Sequence, residues 1–351
     1  MHTHLILGAA LVITGLSGPA CGQQAPPPAP AVPGVTGDVS PVHDPVIIRE
    51  GAWYYVYSTG IGSAGQGLIS ARRSRDLRHW ERIAAPFEAL PDWAVAAIPG
   101  ARNLWAPDIS RVGGRYRLYY SVSTFGSNRS AIGLATASTL DPSAPGYGWR
   151  DEGLVVRSTL DSDFNAIDPA FVVDATGRHW LSLGSFWTGL KLFRLDPVTG
   201  KPQSPDAKPI AIASRPVPAG APSIIEAPYI FVRDGWYWLI ASYDYCCKGV
   251  NSTYYTVIGR SRSVEGPYLG KDGSAMLSGG GTLLLRADLP EKERFRGPGH
   301  AGHMRDADGR DLIVYHAYDR ENKGAPTLRI AHLEWGDDGW PIAVAQQESK
   351  P

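Results

Sequence analysis

Three carboxylic acids stand just ahead of prolines at wide, regular intervals in this chain. Asp44 precedes Pro45, Asp168 precedes Pro169, and Glu226 lies two residues before Pro228. A single acid beside proline is ordinarily a turn initiator or a cap at the start of a strand. Three in register are poorly explained that way, because gathering like charges costs stability unless a reaction needs them. Paired carboxylates flanking a bond are the machinery of glycoside hydrolysis. One protonates the leaving oxygen, and the other activates water or attacks the sugar. A third acid close by raises the pKa of the proton donor by like-charge repulsion, keeping it protonated near neutral pH. Asp108 follows Pro107 rather than preceding it, so strand alternation turns it away from the others and it reads as structural.

The elements that must bring these acids together are repeats. Prolines 45, 107, 169 and 228 lie 62, 62 and 59 residues apart. Each opens a short β-rich run, followed by a glycine-centred turn and an alternating aromatic run such as Trp53-Tyr-Tyr-Val-Tyr57 or Trp236-Tyr-Trp-Leu-Ile240. That pattern is a β-hairpin. A degenerate fifth copy is read from Gly302 to Tyr318, and strand-like segments with turns separate the copies. About four antiparallel strands per unit and five units describe an all-β, five-bladed β-propeller. The first strand of each blade lines the axis, so the repeated acids are expected to converge at one mouth of the channel.

Composition supports that class and removes others. Lys and Arg number 34 against 34 Asp and Glu, and this zero balance gives no attraction to nucleic acid or to an anionic membrane. With 43% hydrophobic and 19% charged residues the chain is not disordered. Arg72, Arg73, Arg75 and Arg78 read as a solvated blade edge, and Trp53, Trp180, Trp236 and Trp238 as core. Leu5–Leu16 is an apolar run of 12 residues, the length of a signal-peptide core and too short to span a bilayer. Residues 1–21 are therefore expected to be a secretion signal, with lipidation at Cys21 as a variant, although no Lys or Arg precedes Arg49. Residues 22–38 form a Pro/Ala-rich linker, and residues 39–351 the propeller domain, expected to be monomeric and secreted or periplasmic.

Several motifs, in order along the chain, resemble glycoside hydrolase family 43, and best its endo-α-1,5-L-arabinanase branch. They include Val42-His-Asp-Pro45, Asn103-Leu-Trp-Ala-Pro-Asp108, Ser127-Asn-Arg-Ser130 and Asn165-Ala-Ile-Asp-Pro169. Gly184-Ser-Phe-Trp187, Ile225-Glu-Ala-Pro-Tyr229, Cys246-Cys-Lys-Gly-Val-Asn-Ser-Thr-Tyr254 and Gly297-Pro-Gly-His300 complete the set. The resemblance implies inverting hydrolysis of linear arabinan, with Asp44 as general base, Glu226 as general acid and Asp168 orienting Glu226 and raising its pKa. It also implies a calcium-type ion on the axis near His300. On residue grounds alone His300 is as readily a hydrogen-bonding residue, since calcium prefers oxygen ligands. His303 is an alternative ligand and His316 a weaker one.

Trp105 resembles the family's stacking platform for sugar, and Phe125, Asn165 and Ser185 are expected to face the same mouth. Cys246 and Cys247 could form a vicinal disulfide or carry free thiols, adjacent Cα atoms lying about 3.8 Å apart, below the usual bridged range. Three rival activities are weighed against endo cleavage. They are an exo-acting arabinofuranosidase or xylosidase, with a blocking wall sought between Pro86 and Asn103, a retaining fructan-type enzyme, and a non-catalytic carbohydrate-binding propeller.

Overall fold

The computed structural model describes Met1 and residues 34–60, 68–218, 221–287 and 294–345. The signal, the lipidation site at Cys21 and most of the linker lie outside the described residues. Five sheets follow one another along the chain. The first holds β1 (Thr36–Gly37), β2 (Val46–Glu50), β3 (Trp53–Thr59), β4 (Ile69–Ser74) and β5 (His79–Ile83). After α1 (Asp92–Ala97) come β6 (Trp105–Val112), β7 (Arg115–Val122), β8 (Ser130–Ala137) and β9 (Arg150–Ser158). The third sheet is β10 (Ala170–Val173), β11 (His179–Leu183), β12 (Leu190–Leu195) and β13 (Ile210–Ala213). The fourth is β14 (Ile225–Arg233), β15 (Trp236–Tyr243), β16 (Tyr255–Ser261) and β17 (Thr282–Leu285). The fifth is β18 (Phe295–Arg305), β19 (Asp311–Asp319), β20 (Ala325–Trp335) and β21 (Pro341–Ala345). Each is a four-stranded antiparallel meander, to which the first blade adds β1 parallel to β5, so the molecule is the five-bladed propeller that the repeat predicts.

Two-residue turns close the inner hairpins of blades two and four. Gly113-Gly114 joins Val112 to Arg115 and Asp234-Gly235 joins Arg233 to Trp236, with positive φ at both positions of each turn. That is the turn whose twist matches the strands, and it explains the glycine at the centre of the repeat. The middle strands are covered on both faces by neighbouring blades. β8 (SAIGLATA) is buried along its whole length, and Gly133 has no space for a side chain. A Cβ there would lie 2.4 Å from the Tyr120 ring and 2.6 Å from that of Trp93.

The apolar core is divided into five clusters, each at a junction between adjacent blades. Leu118 and Tyr55 belong to the first, Leu181 and Ile132 to the second, and Trp180 and Leu239 to the third. Trp238 and Ile313 lie in the fourth, and Val56 and Val314 in the last. Among the described residues no strand is shared between the first and last blades. The ring is closed by the segment after β1, where Val42 N–H donates to Pro326 O at 2.8 Å and Leu328 N–H to Val39 O at 2.9 Å. The sheet thus takes up the chain at Thr36, within the stretch read as linker.

Arg72 departs from the solvated edge expected for it. It is fully buried, and its guanidinium bonds Asp38, Pro41 O and Ser58 Oγ, tying the closing segment to blade one. Trp180 and Trp238 are core, whereas Trp53 and Trp236 are half-buried with arginines over their faces. Among the described residues no helix is long and apolar enough to cross a membrane.

Candidate active site

Five residues occupy one repeated place at the axial end of the innermost strands: Asp44, Ala106, Asp168, Ala227 and His300. Their φ angles are 51°, 41°, 58°, 55° and 52°. Strand register breaks there in β6, β14 and β18, while β2 and β10 begin just after it. A left-handed backbone at an L residue costs about 1–2 kcal/mol, and such bulges re-aim side chains where function needs them. His300 is therefore the fifth-blade counterpart of Asp44 and Asp168, with Ala301 in the proline's place. The fifth copy read from Gly302 starts two residues late. Pro45, Pro107, Pro169, Pro228 and Ala301 ring a cavity of about 10 Å³ on the axis, room for about one water. Asp108 and His300 also line it, and Asp108 accepts the Phe171 N–H of the next blade at 2.8 Å.

Asp44 is 9% exposed and surrounded by donors. Thr59 donates its hydroxyl to Oδ2, and Oδ1 lies 2.8 Å from His43 Nδ1 and 3.0 Å from His300 Nδ1. Burial works to raise its pKa, but His43 and then His300 outweigh it and hold the carboxyl well below its ordinary range. The Asp44 N–H donates to His316 Nδ1 at 3.1 Å, which leaves the His316 proton on Nε2. Burial keeps His316 neutral.

Glu226 sits at the start of β14, one residue before its bulge, and pairs across the blade junction with Ser185. The Ser185 hydroxyl donates to Glu226 Oε2 at 2.7 Å, and the Tyr254 hydroxyl also acts on this carboxylate. Asp168 accepts the Ala227 N–H at 3.1 Å, which places it beside Glu226. Both carboxyls are raised, first by burial, and for Asp168 next by the charges of Glu226 and Asp44 against the opposing pull of His300. The buried pair resists double ionisation. Asp44 is therefore pushed towards the ionised form and the other two towards the protonated form.

His300 can hold positive charge on the axis beside these acids. Burial alone would depress it, but Asp44, then Asp168 and Glu226, raise its pKa to about 9. His303 does not share that place. Its Nε2 lies 2.9 Å from Asp311 Oδ1 and its ring stacks on Phe231 at 4.0 Å, so it belongs to a buried ion-pair network between blades four and five. His43, Asp44 and His316 offer ligand atoms within 4.8 Å of one another, and His316 Nε2 is buried without a partner. Two imidazoles and one carboxylate suit a softer ion than calcium.

Of the residues expected to face sugar, Trp105 is half-buried at the place in β6 that Glu226 holds in β14. Phe125 is 86% exposed at the β7–β8 turn. Ser185 is buried with its hydroxyl committed to Glu226, and Asn165 is buried with Oδ1 unpaired. Sequence reasoning did not single out His43, Thr59, Tyr254 or Tyr318. The signal available was position: His43 and Tyr254 lie inside quoted motifs, and His43 holds the place in its blade that Glu226 holds in the fourth.

The profile of glycosyl hydrolases family 43 matches residues 39–341. An extracellular endo-α-(1→5)-L-arabinanase of Bacillus subtilis (strain 168) is 43% identical over 301 residues, covering 86% of this chain and 87% of that one. An extracellular exo-α-(1→5)-L-arabinofuranosidase of Cellvibrio japonicus (strain Ueda107) is 42% identical over 308 residues, covering 86% and 85%. The solved α-L-arabinanase of Cellvibrio cellulosa complexed with arabinohexaose superposes with a TM-score of 0.81 at 38% identity, covering 89% of this chain and 100% of that one. A match along nearly the whole propeller, joined to the three converging acids, settles the family: the chain belongs to glycosyl hydrolases family 43.

Proposed function

We propose that this protein cleaves α-1,5-L-arabinofuranosidic bonds within linear arabinan, with inversion at the anomeric carbon. The observation that carries the chemistry is the division among the three buried acids. His43 and His300 hold Asp44 ionised, fit to take a proton from water, while burial and mutual repulsion keep a proton on the Asp168–Glu226 pair. Opposite shifts in neighbouring carboxyls separate base from acid. Glu226 protonates the leaving oxygen, Asp168 holds the Ala227 amide beside it and raises its pKa, and Ser185 orients its carboxyl. The arabinanase relatives support arabinan as the substrate, and their description as extracellular supports export.

A calcium-type ion held at His300 belongs to the same proposal. His300 Nδ1 lies 3.0 Å from Asp44 Oδ1, so the imidazole would give up its second proton to offer the ion a nitrogen, and water would supply the oxygen ligands that calcium prefers. Bound there, the ion would supply positive charge to balance the crowded acids.

Product analysis on linear arabinan tests the activity. Wild type should release a spread of arabino-oligosaccharides and Glu226→Ala almost none. Arabinose alone from the first minutes would instead support exo action, the activity of the Cellvibrio japonicus relative. No release from arabinan, xylan or aryl arabinofuranosides would leave only a binding propeller.

A further inference from the structure

Cys246 and Cys247 are joined by a disulfide between adjacent residues, in the turn that connects β15 to β16. Cys247 has a φ of 65°, a left-handed backbone that an L residue keeps only when its surroundings hold it. Its N–H donates to Tyr318 Oη at 2.8 Å. Tyr318 Oη lies 2.8 Å from His43 Nε2, and His43 Nδ1 lies 2.8 Å from Asp44 Oδ1. The His43 ring also stacks on His316 at 3.9 Å, and His316 Nδ1 accepts the Asp44 N–H.

A backbone amide can only donate, so Tyr318 Oη accepts from Cys247, and that bond fixes the oxygen 2.8 Å from His43 Nε2. At its other nitrogen His43 faces a carboxylate, so Nδ1 carries a proton and donates it to Asp44. A bare Nδ1 would aim a lone pair at that carboxylate. The amide at the far end thus helps set where the His43 ring sits, and Asp44 sets the proton on Nδ1.

We propose that the Cys246–Cys247 disulfide positions the base: it holds the Cys247 amide on Tyr318, which orients His43, which in turn aims the Asp44 carboxylate. The proposal rests on Asp44 being the base. His43 and Tyr318 are positioning residues in it, and the disulfide-bonded protein is the fully active form. The turn has other ties, including Lys248 N–H to Ser252 Oγ at 3.0 Å and Thr253 N–H to Tyr245 O at 3.0 Å. These ties hold the rest of the turn when the disulfide is broken, so a loss of activity reports the Cys247 amide rather than an unfolded turn. Cys247 is exposed, so a soluble reductant reaches it.

The test is steady-state hydrolysis of linear arabinan by folded wild type before and after treatment with a phosphine. The phosphine is oxidised to its oxide as the disulfide takes up two electrons and two protons. Reduction, the double change Cys246→Ser with Cys247→Ser, and Tyr318→Phe should each lower kcat about tenfold, and His43→Ala about a hundredfold, with KM nearly unchanged. His43→Asn, whose amide N–H stands near the place of Nδ1–H, should recover most of the loss. Reduction should cost Tyr318→Phe nothing further. An unchanged kcat in reduced wild type overturns the proposal, as does an equal loss on reducing Tyr318→Phe, or a loss carried in KM. If the serine variant does not fold, reduced and reoxidised wild type, checked by its melting temperature, answers the same question. Asp44→Ala separates the two levels. Full activity there removes the base assignment, whereas an inactive Asp44→Ala beside fully active His43→Ala and Tyr318→Phe removes the relay alone.

Discussion

Asp44 and Asp168 share a residue type, a repeat position and a backbone conformation, yet their neighbours push them in opposite directions. Two imidazoles hold Asp44 low, and burial followed by the charges of Glu226 and Asp44 holds Asp168 high. The pH dependence of kcat/KM should therefore be bell-shaped. Activity falls on the acid side as Asp44 takes up a proton, at a pH well below the ordinary carboxylate range. It falls on the alkaline side as the Asp168–Glu226 pair loses its proton, above that range. Asp168→Asn removes the like charge, so Glu226 releases its proton earlier and the alkaline limb should move down by about one pH unit. An unmoved limb would mean that Asp168 does not tune the acid.

The left-handed backbone at the axial end of the innermost strands, shared by all five blades, is the element that does the placing. It turns the same repeat position inward in every blade, so substitution at that position, rather than a new loop, decides which blades carry chemistry. The segment between Pro86 and Asn103 packs one side onto the strands of the propeller. Ala94 and Ile98 are buried against blade two, and Trp93 Nε1 bonds Asp151 Oδ2 at 3.0 Å. The closing segment depends on Arg72. Replacing it with Met leaves Pro41 O unpaired and removes one of the two arginines from Asp38. Breaking a buried ion pair in this way should cost about 3 kcal/mol, read as a lower midpoint in urea. A midpoint equal to that of wild type would show that the remaining bonds suffice to close the ring.

Among the described residues the core divides into five clusters between blades rather than one at the centre. The axis holds prolines, four buried acids and His300 instead. Charge balance on that axis is then a property of the whole ring, because each blade contributes a group to it. The ion proposed at His300 should therefore stabilise the entire propeller. Chelation is expected to lower the melting temperature and calcium to restore it, while His300→Ala should show no bound calcium by elemental analysis and no response to chelator. Stoichiometric calcium in His300→Ala would place the ion elsewhere.

The repeat of prolines, glycine turns and aromatic runs determined the propeller, because strand period and turn chemistry are local. The acids were legible for the same reason: a repeat position in a ring is also a position in space. The register of the fifth blade was not legible, since Ala301 replaces the marking proline and only the left-handed backbone at His300 reveals the match. Nor was the burial of Arg72, whose partners Asp38, Pro41 and Ser58 meet only when the ring closes. Tyr318 reaches His43 across 275 residues of chain, and Ser185 reaches Glu226 across 41. The types and spacing of residues determined which groups face the axis. Which of them is base, acid or support was decided by tertiary structure, because neighbours such as His300 beside Asp44 and Ser185 beside Glu226 come from other blades.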